Sequence, residues 1–202
     1  MKKTYFMRTF NLNIILLAIS ILAFIFELLL RLALHTWDKA PLFDFKGIVI
    51  QIYHGIQNIS ELAHFMGTVT LVLAVILTAK EWISRIYSDN LLNWFRSVKQ
   101  TFSLRKFMRQ SERSEKIVDA QKVTNFNPIN DRFNRSVRLA VVDIHRETAQ
   151  IFIKVPRTQQ TQNILKELEA QIKEEVSSQN PDYIFSNFER HHNQSWLQGT
   201  KR

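Results

Sequence analysis

Two long apolar stretches lie in the first part of the chain, and most charged residues follow them. The first is almost unbroken from Ile14 to Phe26 and continues to Leu34 around two charged residues. The second runs from Leu62 to Ala79. Because about 20 apolar residues in a helix cross the hydrocarbon core of a bilayer, the pattern predicts two transmembrane helices, at about 12–34 and 62–79.

The basic start of the chain raises a rival interpretation for the first stretch. Lys2, Lys3 and Arg8 resemble the first region of a cleaved secretory signal. The apolar stretch is long for such a signal, however, and no Ala-x-Ala cleavage site follows it. We therefore favour a helix that is retained in the protein.

The charges that flank the two predicted spans indicate their orientation. The loop between the spans is slightly acidic, with Lys39 and Lys46 against Asp38, Asp44 and Glu61. Both outer flanks are basic, and basic flanks stay in the cytoplasm. The pattern therefore predicts a multi-pass protein of the cell membrane with both chain ends in the cytoplasm.

One charged pair lies inside the first predicted span. Glu27 and Arg31 are four residues apart, and so they share one face of a helix. The two side chains either make an intramembrane contact with a partner helix or form an ion pair only with each other near the outer interface. We favour the second interpretation because the pair is close to the end of the span. We likewise expect His64 to be interfacial rather than functional.

A basic, amphipathic segment follows the second span directly. Residues 80–109 contain seven basic and two acidic side chains, with apolar residues at helical spacing between them. This pattern is typical of a helix on the inner membrane surface, where Trp82 and Trp94 suit the headgroup zone. We expect contact with anionic lipid, with nucleic acid as the alternative. The candidate contact residues are Lys80, Arg85, Arg96, Lys99, Arg105, Lys106 and Arg109.

The remainder of the chain has the pattern of a small α/β domain. A helix extension or linker is expected to end at residue 124, and a turn-rich stretch of Asn and Pro follows at 125–134. Two apolar strands are then predicted to form a hairpin, followed by a helix that Thr158 or Thr161 caps. The predicted strands are 137–144, 150–155 and 183–188, with Trp196 and Leu197 in a short fourth strand. The predicted helix carries an aliphatic stripe formed by Ile164, Leu165, Leu168, Ile172 and Val176.

The predicted fold class is therefore membrane α plus small α/β. A two-helix transmembrane hairpin forms residues 1–80, an amphipathic basic helix and linker forms residues 81–124, and a cytoplasmic ββαβ domain forms residues 125–202. We expect this multi-pass chain to form homo-oligomers, with membrane lipids among its partners.

The sequence offers no pattern of catalytic chemistry. It contains no cysteine and only four glycines, and no Gly-x-x-x-x-Gly-Lys-Ser/Thr loop for nucleotide phosphates. His191 and His192 are adjacent, and adjacent residues of a strand face opposite ways, which disfavours a shared metal. We therefore predict a non-enzymatic protein without catalytic, cofactor-binding or metal-binding residues.

The order of these parts resembles the region that precedes the ATPase domain in FtsK/SpoIIIE-type (TcpA-like) coupling proteins of Gram-positive conjugative plasmids and integrative elements. The family's Walker motor is expected after such a region, whereas this chain stops at Arg202. The segments that carry the resemblance are 136–144, 150–156, 164–169 and 182–188.

The resemblance implies the anchor half of a split or truncated DNA translocase. The chain would then supply membrane attachment and assembly for a separately encoded P-loop ATPase in plasmid or conjugative-element DNA transfer. Contact of this chain with DNA remains open in that interpretation. The alternative is a membrane-bound sensor or adaptor whose cytoplasmic domain binds a ligand or a partner protein, and a small membrane enzyme is disfavoured.

Overall fold

The chain divides into two compact units. The computed structural model describes residues 1–39, 46–111, 113–118 and 121–202. An apolar unit consists of Thr9–Glu81, and a folded unit combines Met1–Arg8 with Trp82–Arg202. The folded unit therefore takes in the first eight residues and residues 82–124, both of which the sequence pattern predicts to lie outside the cytoplasmic domain.

Two long helices account for the apolar unit. They are α1 (Tyr5–Lys39) and α2 (Lys46–Ser88), and each is long and apolar enough to cross a membrane. Helix α2 begins well before residue 62, so most of the predicted loop between the spans is helical. The Ile-rich pattern of residues 48–59 continues the helix, and Gly47 and Gly55 do not interrupt it. The predicted loop residues 40–45, which include Asp44, lie outside the described residues.

Polar contacts join α1 and α2 in an antiparallel arrangement. The Asn13 side-chain amide donates to Thr78 Oγ1 at 3.2 Å, and Ser20 Oγ donates to the carbonyl oxygen of Gly67 at 3.0 Å. A Cβ atom on Gly67 would lie 3.0 Å from the ring of Phe24. Gly67 thus lets α1 and α2 approach closely, since small residues let helix backbones come together.

The folded unit contains three further helices and seven strands among its described residues. The helices are α3 (Leu91–Met108), α4 (Pro128–Val137) and α5 (Gln159–Gln179). The strands are β1 (Arg113–Val118), β2 (Gln121–Phe126), β3 (Val141–Ile144), β4 (Thr148–Lys154), β5 (Tyr183–Phe185), β6 (Glu189–His191) and β7 (Gln194–Lys201).

Two local predictions between residues 110 and 137 are wrong. The expected helix extension or linker at 110–124 contains the antiparallel hairpin of β1 and β2, and residues 112 and 119–120 of that range lie outside the described part. The expected turn at 125–134 is mostly α4. The Asn127 side chain accepts hydrogen bonds from the N–H groups of Ile129 and Asn130, and Pro128 occupies the start of the helix. Asn and Pro here begin a helix, as an N-cap followed by proline often does.

The main sheet has five antiparallel strands in the order β3-β4-β7-β5, and β6 also pairs with β7. The short fourth strand predicted around Trp196 is instead the long inner strand β7, which pairs with β4 along its length. The ββαβ arrangement is therefore not confirmed as predicted. The first predicted strand, 137–144, is also shorter, because Val137 ends α4, residues 138–140 form the connection, and β3 begins at Val141.

One face of the sheet packs on the helices and forms an aliphatic core. The predicted stripe of α5 is confirmed, with Leu165, Ile172 and Val176 buried and Ile164 and Leu168 packed against them. At about 25 cal/mol per Å² of apolar surface removed from water, this layer is the main source of stability for the sheet. The strand residues in the core are Val142, Ile144, Ala149, Ile151, Ile153, Tyr183, Phe185 and Leu197.

The opposite face of the sheet is covered by the start of the chain. Val141, Phe152 and Trp196 are directly opposite one another in the ladder, and all are at most 3% exposed. Lys3 Nζ lies 3.6 Å from the centre of the Phe152 ring, which is a cation–π contact. The side-chain amide of Gln198, further along β7, contacts Met1 Sδ at 3.5 Å. The N-terminal residues thus form a layer of the folded unit.

Polar side chains of α3 bond the outer edge of β3. Ser97 Oγ accepts a hydrogen bond from the N–H of Ile144 at 2.8 Å, and Thr101 Oγ1 accepts one from the N–H of Val142 at 3.0 Å. Arg105 Nε donates to the carbonyl oxygen of Ala140 at 2.8 Å. These positions are four residues apart, so they lie along one helical face. The helix thereby satisfies backbone groups that another strand would otherwise bond.

We expect Thr101→Val to destabilise the folded unit by ~1–3 kcal/mol, because the shape is kept while the N–H of Val142 loses its buried acceptor. The measurement is thermal or denaturant unfolding of the detergent-solubilised chain. Ser178→Ala is the matched control, since the Ser178 hydroxyl is exposed and bonds only the carbonyl of its own helix. An equal effect of the two substitutions would argue against the role of α3 at this edge.

Candidate functional site

A buried ionic cluster joins four segments of the folded unit. The Arg85 guanidinium pairs with Asp143 on β3 and, at 3.2 Å, with Asp89 directly after α2. It also donates to the carbonyl oxygen of Ile144 at 2.8 Å. Thr4 Oγ1, from the start of the chain, donates to the other Asp143 oxygen. Arg85 is 1% exposed and the Asp143 side chain 0%, so this pair is shielded from water.

His145 completes the cluster at the turn between β3 and β4. Its ring nitrogens lie 3.2 Å from an Asp143 oxygen and 3.3 Å from an Asp89 oxygen. The hydrogen bond with Asp143 raises the pKa of His145, although burial opposes the shift. Burial alone would raise the pKa of Asp143, but the hydrogen bond and charge of His145, with Arg85 and Thr4, hold it below its ordinary value. The cluster therefore favours a charged histidine beside a charged carboxylate.

We expect the stability of the folded unit to fall as the pH rises through neutrality. The pKa of His145 is higher in the folded chain than in the unfolded chain. The protonated histidine therefore contributes its full stabilisation below the unfolded pKa of about 6.5, and this contribution is lost above the folded pKa. Unfolding of the detergent-solubilised chain between about pH 5.5 and 8.5 measures the slope that this histidine should produce. His145→Gln should flatten the slope, and an unchanged slope in that variant would assign it to other groups.

Helix α3 presents an exposed face of apolar and basic residues. Leu92, Phe95 and Phe102 are each at least half exposed, with Lys99 between Phe95 and Phe102 and Lys106 one turn beyond Phe102 on the same face. The spacing of three and four residues places all five on one side of the helix. Its opposite side holds the buried Asn93, Ser97 and Thr101. The inner side also carries Leu104 and Met108, which join the core, whereas large apolar side chains remain exposed on the other side, which we name the α3 outer face.

Aromatic rings extend this surface toward the end of α2. Trp82 and Trp94 form an edge-to-face pair with ring centres 5.5 Å apart. Trp94 and Phe95 form a second edge-to-face pair with ring centres 4.9 Å apart. Trp82 is 39% exposed. Exposed aromatic rings beside lysines are typical of surfaces that rest in the headgroup zone of a membrane.

The seven predicted basic contact residues divide into two groups. Arg85 belongs to the buried ionic cluster, which corrects the prediction that it contacts lipid or nucleic acid. Arg105 is half-buried against β3, and burial lowers its pKa to about 10. The sequence could not separate these two from the rest, because their partners lie some 35 to 58 positions away in the chain. The exposed members are Lys80 on α2, Arg96, Lys99 and Lys106 on α3, and Arg109 directly after it.

We expect a probe on the α3 outer face to sit in a lipid environment. The chain has no cysteine, so Leu92→Cys gives a unique site for an environment-sensitive fluorophore in anionic nanodiscs. Emission should shift to the blue and be quenched by lipid-attached quenchers. Each lysine near an anionic surface contributes about 1 kcal/mol of attraction, so adding Lys99→Glu and Lys106→Glu should weaken the quenching. A probe on Ser178→Cys, which is exposed on α5, is the matched control. Equal quenching at both positions would contradict a specific contact between lipid and the α3 outer face.

The Glu27–Arg31 pair of the apolar unit is confirmed and has a third member. Glu27 Oε1 lies 2.6 Å from Arg31 Nη2, and Glu27 Oε2 lies 3.0 Å from Nδ1 of His64 on α2. The pair therefore satisfies itself and also joins the two helices. The interpretation of His64 as only interfacial missed this contact, since spacing within one helix carries no information about the next. Buried polar groups inside apolar helices are costly unless they are bonded, so this contact fixes the helix register.

The two adjacent histidines near the C-terminus occupy different local structures. His191 ends β6 and lies 3.5 Å from the carboxylate of Glu189. His192 is in the turn before β7 with φ of 54°, a left-handed conformation. Within the described residues, no group of three or more His, Cys, Asp or Glu side chains is arranged to hold a metal ion. The chain matches no protein-family model, no curated protein and no solved structure.

Proposed function

We propose that the chain is a non-enzymatic, two-span membrane anchor that holds its folded unit on the cytoplasmic face of the cell membrane. One observation carries this proposal. Residues Met1–Arg8 and Trp82–Arg202 form one compact unit, although the whole apolar unit Thr9–Glu81 separates them in the chain. A chain that crosses a bilayer twice returns to the side on which it started, and two spanning helices meet that requirement.

Charge supports the cytoplasmic orientation. Lys2, Lys3 and Arg8 precede the apolar unit, and the α3 outer face with its lysines follows it. Basic residues close to membrane-spanning helices remain in the cytoplasm. The α3 outer face would then rest on the anionic inner leaflet and keep the folded unit close to the membrane.

The topology is tested by cysteine labelling of intact cells. Gly47→Cys lies at the start of α2, where an added side chain meets open space, and Ser178→Cys lies on the exposed side of α5. A membrane-impermeant maleimide should label Gly47→Cys from outside, and Ser178→Cys only after lysis. Labelling of Ser178→Cys in intact cells, or recovery of the chain in the soluble fraction, would overturn the proposal.

We further propose that the anchor serves as an assembly subunit of an FtsK-like DNA translocase and forms homo-oligomers. This step rests on the resemblance to the region before the motor of the coupling proteins. In vivo crosslinking in the native host should then recover a P-loop ATPase with this chain. Recovery of the chain without any such ATPase would contradict the translocase role and would leave the membrane topology untouched.

The alternative function, a membrane-bound sensor or adaptor, is favoured by a different observation. The folded unit contains a cavity lined by Arg132, Arg135, Lys154 and Arg157, none of which belongs to the α3 outer face. A ligand that stabilised the folded unit through that cavity, in a chain without a motor partner, would favour the sensor over the assembly subunit.

A further inference from the structure

A cavity of about 450 Å³ lies where α4, the end of β4 and the start of α5 meet. Its size falls within the range of about 300–1,000 Å³ that is usual for small-molecule sites. Four basic side chains from three separate elements line it, and Ser136 and Thr158 add hydroxyl groups. We call it the basic cavity, and its charged lining consists of Arg132, Arg135, Lys154 and Arg157.

The positive charge of the basic cavity is largely uncompensated. No acidic residue lines it. Among the described residues, its one ion pair joins Arg135 to Asp131 at 2.8 Å, and the Arg135 side chain is 71% exposed, which makes that pair weak. Burial, the charge of Lys154 and the charge of Arg8 together lower the pKa of Lys3. Lys3 is thus close enough to Lys154 for their positive charges to interact.

The start of α5 adds to the same potential. Thr158 is the N-cap residue, but its side chain makes no capping hydrogen bond, and the first turn contains no acidic residue. The Thr158 hydroxyl instead bonds the hydroxyl of Thr161 at 2.8 Å. The positive end of this 21-residue helix is therefore not neutralised by its own sequence. Arginine carries donors in a planar fork that matches two phosphate oxygens at once.

We propose that the basic cavity binds the phosphate group of a small ligand, free in solution or carried on a lipid headgroup. Arg132 and Arg157 are the main contact residues, because each is exposed and lies on a different wall of the cavity. A nucleic-acid strand fits this cavity less well, since its lining has no aromatic ring on which a base could stack. The proposal is independent of the translocase role and goes beyond membrane anchoring.

The test uses the full-length chain in nanodiscs of neutral lipid, titrated with inorganic pyrophosphate and followed by thermal unfolding. Pyrophosphate should raise the unfolding temperature of the unmodified protein. The double variant R132Q/R157Q should bind it at least about tenfold more weakly, a loss that corresponds to one or two charge-assisted hydrogen bonds. The matched control is R138Q/R146Q, which removes two exposed arginines of the same folded unit that do not line the cavity.

The named outcomes separate the proposal from its rivals. If chloride at matched ionic strength stabilises the protein as much as pyrophosphate does, the stabilisation is due to charge screening and the proposal is overturned. Equal losses in the two double variants would also overturn it, as would a single-stranded oligonucleotide that binds through Arg132 and Arg157 when pyrophosphate does not. Phosphatidic acid in the nanodiscs decides the source of the phosphate. If phosphatidic acid competes with pyrophosphate, the phosphate is that of a lipid headgroup. If it does not compete, the phosphate is that of a soluble ligand.

Discussion

Replacing Asp143 with alanine is expected to lower the free energy of unfolding by ~3–5 kcal/mol, because it removes the more closely paired of the carboxylates that balance the buried charge of Arg85. Arg85 and Asp143 are almost completely shielded from water. Asp89 also pairs with Arg85, but it already accepts hydrogen bonds from the Asn93 side chain and the backbone N–H of Arg146 at 2.8 Å each. The same substitution removes the acceptor of Thr4 and His145, so three segments lose a contact together.

The measurement is denaturant unfolding of the detergent-solubilised chain, with Asp131→Ala as the control. Asp131 pairs with Arg135 at the surface, and exposed pairs of this kind contribute about 0–1 kcal/mol. The double variant R85M/D143L should recover much of the loss, because it buries apolar groups in place of charges. Similar losses for Asp143→Ala and Asp131→Ala would mean that the cluster is solvated, contrary to the structure.

Replacing Phe6 with alanine should cost ~3–5 kcal/mol, the usual range for removing a buried aromatic side chain. Phe6 is 3% exposed and lies in the first eight residues of the folded unit. Its ring lies 5.4 Å from the Arg85 guanidinium carbon, so it also shields the ionic cluster from water. If residues 1–8 were only a flexible leader, the substitution would have no such effect.

Phe126→Ala is the matched control for this prediction. Phe126 ends β2 and is 63% exposed, and surface substitutions usually change stability by less than about 0.5 kcal/mol. The two variants are compared by unfolding of the detergent-solubilised chain, and limited proteolysis of the folded unit provides a second readout. Equal stability of the two variants would show that the start of the chain is not a layer of the folded unit.

The elements that the sequence predicted best are those whose pattern is complete within one segment. The two apolar helices are recognised from continuous apolar runs, and α5 from five aliphatic residues at helical spacing. The Glu27–Arg31 pair follows from spacing alone. In each case the decisive neighbours are at most four residues apart, so local sequence is enough.

The elements that were missed depend on partners far away in the chain. Ser97 and Thr101 resemble a solvated helix face, and only the edge of β3 explains why they are buried. Strand β7 carries few large apolar residues, and it lies inside the sheet because β4 and β5 pair with it on either side. Helix α4 is different, since Asn127 followed by Pro128 is a recognisable helix start, although the Asn and Pro content of 125–134 also favours a turn.

The layer that Met1–Arg8 forms on the sheet has a consequence for how the protein is made. These residues leave the ribosome before any other part of the folded unit, whereas β7, which they contact through Met1 and Gln198, is synthesised after all the other strands. Both helices of the apolar unit emerge in between. The folded unit therefore completes only after β7 has been synthesised, and a bulky tag fused to the amino terminus would hinder that last step.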